Sequence, residues 1–144
     1  MAQWGVEWLV KVEGGTRSVP AFTFLREQPS AVRNQLLAIV DAVRTFGPDR
    51  WRDPQTHRPM KGDIDDLHEA RDKHDKTLYR LFLLWQRTEQ RVVILDGREK
   101  PDQTALSNSE YQLVRDLADT VKQHPPPFAV ADDFARELLA EDGD

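Results

Sequence analysis

Hydrophobic positions recur along this chain with two different periods. Trp4, Val6, Trp8, Val10 and Val12 alternate with Gly5, Glu7 and Lys11, the period of two expected of a half-buried strand, and Gly14-Gly15 end it. Ser18 is placed to cap a short helix with Pro20 in its first turn and Phe22, Phe24 and Leu25 along it, and Pro29 stops that helix. Ser30 opens a longer one, in which Val32, Leu36, Ile39, Val40, Val43 and Phe46 fall at helical spacing before Gly47-Pro48. Residues 49–59 are polar, contain Pro54 and Pro59, and read as a loop.

Three strands are predicted next, over 67–71, 77–86 and 91–96, joined by the short links 72–75 and 87–90 that favour an antiparallel meander. Residues 78–85 are apolar on both parities apart from Tyr79 and Arg80, as expected of a central strand covered on both faces. Ser107-Asn108-Ser109-Glu110 is a capping box, and Tyr111, Leu113, Val114, Leu117 and Val121 form the stripe of a last core helix. Pro125-Pro126-Pro127 breaks that helix, and beyond it Asp132 is placed to cap a short amphipathic helix bearing Phe134, Ala135, Leu138 and Leu139. The expected fold is α+β: a small antiparallel-rich sheet with two N-terminal helices and a C-terminal one. The expected organisation is one domain over 1–123 followed by an acidic tail over 124–144.

At 144 residues the chain has length for one compact domain with a real core. The absence of cysteine excludes disulfides, thiolate metal sites and thiol nucleophiles, and fits a reducing compartment. No apolar run approaches a membrane span and no signal-peptide pattern is present, so a soluble cytoplasmic protein is expected. The net charge of -5 is unevenly placed: residues 1–123 hold 19 Lys and Arg against 19 Asp and Glu, whereas 124–144 hold one Arg against six acidic residues. The acidity belongs to the tail, which is either disordered, docked by its Phe134/Leu138 face, or placed near basic sites as an internal competitor for phosphate.

The neutral body carries local basic sites. Lys61, Arg71, Arg80, Arg98 and Lys100 sit in or beside the three predicted strands, where cations on a rigid sheet suit phosphates or an acidic partner. Arg80 lies among apolar positions, so it is either a functional cation at a pocket rim or half of an ion pair, with Glu69 the candidate partner. Arg71 ends its strand beside an Asp-rich turn, and Arg98 and Lys100 follow Gly97 at a strand end, where both ligand groups and plain surface charge occur. Trp51, in the polar loop, either stacks on a base or packs beneath the loop. Trp4, Trp8, Phe22 and Phe24 read as core. Asp63-x-Asp65-Asp66-x-His68 fits neither a calcium loop nor a zinc motif and reads as a solvated acidic turn, while His68 and His74 are candidates for acid/base work.

The order and spacing of these pieces resemble the RelE/ParE toxin superfamily, in particular its HigB-like, phage-protein-like branch. The segments that carry the resemblance are Met60-Lys61-Gly62, Leu67-His68-Glu69-Ala70-Arg71, Tyr79-Arg80-Leu81-Phe82 and Leu95-Asp96-Gly97-Arg98-Glu99-Lys100, with Gln103-Thr104 after them. The resemblance implies a RelE-like sheet with the two N-terminal helices packed on one side. It also implies cleavage of messenger RNA on the ribosome, by attack of a ribose 2'-hydroxyl on the adjacent phosphate, with protein cations stabilising the charge and protonating the leaving oxygen. No metal or other cofactor is implied. Arg80 matches the arginine that contacts the scissile phosphate, Lys100 the second lysine after the final strand, and Arg71 an arginine that is more often structural; Arg80 and Lys100 are thus the catalytic candidates, and Arg98, Lys61, Arg71 and the stacking candidate Trp51 the RNA-binding ones. Glu99 stands where the family usually has a lysine, and Asp96 where the branch often has a histidine, so a phosphate there is expected to meet two extra negative charges.

The function expected is that of the toxin of a type II toxin-antitoxin pair: a metal-independent, ribosome-dependent mRNA endoribonuclease held in a hetero-oligomer by a small helix-turn-helix antitoxin. The alternative on the same fold is a non-catalytic binder, either a ParE-like gyrase inhibitor or an inactive relative that retains only its antitoxin or phage partner.

Overall fold

A computed structural model describes residues 4–50, 55–60, 66–123, 129–132 and 135–137 of the chain. The predicted first strand splits in two. Gly5–Leu9 (β1) joins the main sheet, whereas Lys11–Glu13 (β2) turns through Gly14-Gly15 and pairs with Thr16–Ser18 (β3) as a separate hairpin. The alternation breaks because Leu9 and Val10 are both buried, so the strand leaves its pleat there and Val12 ends up 47% exposed rather than in the core. Both glycines have positive φ, +55° and +82°, which a tight turn requires and other residues resist.

Pro20–Arg26 (α1) and Ser30–Phe46 (α2) are the two expected helices. Ser18 does not cap the first: Val19 is the capping residue, no side chain bonds the end, and Pro20 alone sets the start. His57–Pro59 (β4) is a short strand inside the segment read as loop. Leu67–His74 (β5), Thr77–Gln86 (β6) and Arg91–Pro101 (β7) form the antiparallel meander, followed by Asn108–Gln123 (α3) and Ala129–Ala131 (β8).

Among the described residues the main sheet has six strands in the order β4-β5-β6-β7-β1-β8. Neighbours run antiparallel except β1, which lies parallel to β7. The α+β class is therefore correct, and β4 and β8 extend the sheet at its two edges.

The sheet has a different partner on each face. On one side Phe24, Leu25, Leu36 and Val40 of α1 and α2 pack on Trp8, Leu81, Leu83 and Ile94. On the other, Val114, Leu117 and Val121 of α3 pack on Leu9, Phe82, Leu84 and Val93. Strand β6 feeds both cores, with every residue from Leu78 to Trp85 buried. Each large apolar side chain buried there contributes about 1.5–3 kcal/mol, which makes β6 the rigid spine on which Arg80 sits.

A bulge in β7 decides which charges share a face. Leu83 pairs with Ile94 but Phe82 pairs with Asp96, so Leu95 is the extra residue and the parity shifts beyond it. From there Asp96, Arg98 and Lys100 lie on the face of Phe82, Arg80 and Leu78, while Gly97 and Glu99 lie on the opposite face with Leu81 and Tyr79.

Candidate functional site

Cross-strand register assembles the basic residues. Arg71 of β5, Arg80 of β6 and Arg98 of β7 are direct partners and form one row across the sheet, and Lys73, Leu78 and Lys100 form the next. Side chains paired this way project from the same face. That face is the one α3 covers further along. Beta-strand Arg91–Pro101 continues past Gly97, so Arg98 and Lys100 are strand residues rather than the start of a loop as expected.

A cavity of about 650 Å³ opens on this face, lined by Arg58, Arg71, Lys73 and Arg80, by Asp72 and Asp102, and by Gln55, Thr56, Leu78, Gln103, Thr104 and Ala105. Four cations face two carboxylates there. Arg80 is only 6% exposed, yet it is a wall of the cavity. Its Nη2 donates to the Thr104 carbonyl at 3.2 Å, and its Nε lies 3.6 Å from Glu69 Oε2. Its Nε and Nη1 are buried without a hydrogen-bond partner among the described residues. A buried donor left unpaired costs about 1–3 kcal/mol, a deficit that an incoming anion would remove.

Glu69 binds the arginines together. Its Oε1 accepts from Arg58 Nε at 3.3 Å and lies 3.2 Å from Arg71 Nε. Arg80 therefore walls a pocket and also pairs with Glu69, the partner expected from the sequence. Burial lowers the pKa of Arg71, opposed by the charge of Glu69, and burial raises that of Asp72. Lys73 holds Asp102 at 2.7 Å, and this bond keeps the Asp102 carboxyl below its ordinary range.

Lys100 and Arg98 do not line the cavity. Lys100 bonds Glu110 of α3 at 2.5 Å, and Arg98 Nη1 bonds Asp96 at 2.8 Å and the Gly97 carbonyl at 2.7 Å. The Lys100 bond, together with the Ser107 backbone N–H, draws the Glu110 pKa down to about 2. Asp96 also accepts the Gly97 N–H, so its charge is spent on local bonds. Glu99 projects to the other face, where Gln28 reaches it at 3.5 Å, and neither Glu99 nor Asp96 lines the cavity.

Lys61 and Trp51 lie outside the described residues, as do Asp63 and Asp65 of the acidic turn. His68 is not a solvent-facing acid/base group. It is buried, and its Nδ1 lies 3.0 Å from His57 Nε2 on the face opposite the cavity, with Trp85 beside both rings. Burial lowers both imidazoles to about 4, so the pair is neutral near pH 7. His74 is half-exposed near Asp75. Among the described residues no group of three His, Cys, Asp or Glu is arranged to hold a metal ion, and no helix is long and apolar enough to cross a membrane.

Sequence reasoning missed Arg58, Lys73 and Asp102. Arg58 lay in a stretch read as loop, and the signal available was its place between His57 and Pro59, too short to register as a strand. Lys73 was assigned to a turn that in fact begins two residues later.

No curated protein and no solved structure matches the chain. One family model does, over residues 23–122, from within α1 to near the end of α3, a stretch that contains every residue of the cavity. The match spans well over half of the chain, and the chain belongs to that family, described as phage derived protein Gp49-like (DUF891).

Proposed function

We propose that this Gp49-like protein is the toxin of a type II toxin-antitoxin pair and acts as a metal-independent, ribosome-dependent mRNA endoribonuclease. The observation that carries the reading is Arg80: a buried guanidinium with unpartnered N–H groups, walling a cavity in which cations outnumber carboxylates. In the reaction the ribose 2'-oxygen forms a bond to the adjacent phosphorus as the bond to the 5'-oxygen breaks. The 2'-hydroxyl proton leaves and the departing 5'-oxygen gains one, giving a 2',3'-cyclic phosphate and a 5'-hydroxyl. Arg80 stabilises the charge that builds on the phosphate, where guanidinium donors pair with two oxygens at once. Lys100 acts on the same face one row away, and Arg71, Arg98 and Lys61 hold the flanking backbone, with Trp51 as a stacking surface for a base. Resemblance of the Tyr79-Arg80 and Gly97-to-Lys100 segments to RelE/HigB-like toxins supports these assignments. A small helix-turn-helix antitoxin would neutralise the protein in the cytoplasm.

The test is induction in a bacterial host. The wild-type chain should arrest growth and leave mRNA cut within ribosomes, and Arg80→Ala with Lys100→Ala should restore growth and lower cleavage about 100-fold or more. Arrest that persists in the double variant overturns the nuclease reading. The alternative of a gyrase inhibitor or inactive binder is favoured by one feature, the ion pairs that already engage Arg58, Arg71 and Arg80 with Glu69. Intact mRNA together with altered DNA supercoiling in a cell-free system would select the gyrase form.

A further inference from the structure

We propose that Glu69 is a positioning residue of the cavity, gathering Arg58, Arg71 and Arg80 from three strands so that together they receive one phosphate group of RNA. The inference rests on the reading of RNA as substrate. Glu69 meets each arginine through Nε: Arg58 at 3.3 Å, Arg71 at 3.2 Å and Arg80 at 3.6 Å. The carboxylate is hydrogen-bonded to Nε of Arg58 and lies beside Nε of Arg71 and Arg80 as an ion pair, which leaves the outer guanidinium nitrogens to another acceptor. In Arg80 one of these goes to the Thr104 carbonyl and the other, Nη1, is buried without a partner. Glu69 itself is 5% exposed, so its charge is fixed and cannot swing away into water.

The stoichiometry separates this arrangement from a structural ion pair. A buried carboxylate needs one cation to balance it, and a second and third guanidinium beside it repel the first. Three arginines converging on one glutamate leave an excess of positive charge on one wall, which suits an arriving anion. The strand register enforces the convergence: Glu69 is the direct partner of Arg58 on β4, Arg71 follows two residues on along β5, and Arg80 is the direct partner of Arg71 on β6. Asp102, which lines the cavity, is held by Lys73 instead.

The experiment compares the full-length chain with Glu69→Gln, which keeps the shape and removes the charge. Inorganic phosphate is the probe for binding, followed by calorimetry and by the arginine Nε–H NMR signals, and cleavage of ribosome-bound mRNA is the probe for turnover. In the wild type, phosphate should shift the Nε–H signals of Arg58, Arg71 and Arg80 together. The glutamine variant should bind phosphate at least as tightly, because a competing negative charge is gone, while the three signals broaden and turnover falls about tenfold with KM unchanged or lower. Unchanged turnover with sharp signals, or a joint loss of phosphate affinity and thermal stability, overturns the proposal. A wild-type chain that binds phosphate on the three arginines yet leaves mRNA intact sinks the nuclease reading alone, and the NMR comparison then decides the role of Glu69. If the glutamine variant fails to fold, Arg58→Ala at the sheet edge replaces it: phosphate affinity should fall about threefold to tenfold, and an unchanged affinity overturns the proposal.

Discussion

At the scale of single residues, Gly97 shows how one side chain's absence orients the charges around it. A Cβ built there would lie 2.2 Å from Cδ2 of the buried Phe24 ring, so β7 can pass beneath α1 only with glycine at this point. Gly97→Ala should therefore cost about 1–3 kcal/mol, read as a drop of several degrees in Tm, and should disturb Arg98 and Asp96 on either side. A stability equal to wild type would mean that α1 moves freely, contrary to the packing of Phe24 into the core. Arg80 carries the matching functional prediction: Arg80→Lys keeps one charge but loses the fork of donors, so phosphate affinity should fall about tenfold with Tm little changed. The placement of Arg80, buried in an apolar strand beside a carboxylate, was legible in the sequence because a lone cation there is costly to bury. Arg58 was not, since it becomes part of the site only through its register with Glu69, and cross-strand register leaves no local mark in a three-residue strand.

At the scale of elements, the capping box of α3 and the apolar run of β6, both local in sequence, translated directly into structure, whereas the Ser18 cap did not. The capping box at the start of α3 is formed as expected: Ser107 Oγ accepts the Glu110 N–H at 3.2 Å, and Glu110 returns the bond to the Ser107 N–H at 2.9 Å. Strand β6 has the boundaries expected from its apolar run. What was not legible was the reach of β7 past Gly97 and the bulge at Leu95, because both depend on pairing with β6 and not on composition. Glu110 also holds Lys100, and its pKa of about 2 lies below the ordinary carboxylate value of 4.5. A depressed carboxylate pKa contributes stability that is present above about 4.5 and lost as pH falls towards 2. Glu110→Gln should thus be less stable than wild type by about 1 kcal/mol at pH 7, with the gap closing towards pH 2 in urea titrations. Strands β4 and β5 carry a pH dependence of the same sign at higher pH, from histidines. His57 and His68 have folded pKa values of about 4 against 6.5 unfolded, so the unfolded chain binds more protons between those values. The neutral pair's stabilisation is complete above pH 6.5 and is lost as pH falls through about 4, by an amount on the order of a few kcal/mol. Amide exchange at Met60 and Arg71, which bond across β4 and β5 to Leu67 and Thr56, should accelerate below pH 5 before the rest of the sheet.

At the scale of the whole molecule, the acidic C-terminal segment closes one edge of the sheet while the cavity forms near the other. Ala129–Ala131 adds β8 to β1, and Asp132 beyond it is buried and accepts the Trp8 indole N–H at 2.9 Å. Arg136 then bonds both Asp132 and Asp41 of α2, and Ala135 packs into the core beneath α2. Asp132 and residues 135–137 are helical, so Asp132 lies within the helical segment and not at the capping position expected of it, and Phe134, Leu138 and Leu139 lie outside the described residues. The chain thus returns after the Pro125-Pro126-Pro127 segment to pair with its own first strand. Truncation after Gln123 should expose the outer edge of β1 and strand the Trp8 indole without an acceptor, at a cost of about 1–3 kcal/mol for the indole alone. The expected outcome is a lower Tm and association through the bared edge, seen as larger species in size-exclusion chromatography. Asp132→Ala in the full-length chain isolates the indole from the strand: it should lose stability but remain monodisperse, because β8 still covers β1. The tail as an internal competitor for phosphate predicts something different, a rise in RNA affinity on truncation at unchanged stability. Measuring Tm and RNA affinity on the same truncated chain separates the two, since the structural role lowers the first and leaves the cavity, built from β4, β5, β6 and residues 102–105, with its arginines in place.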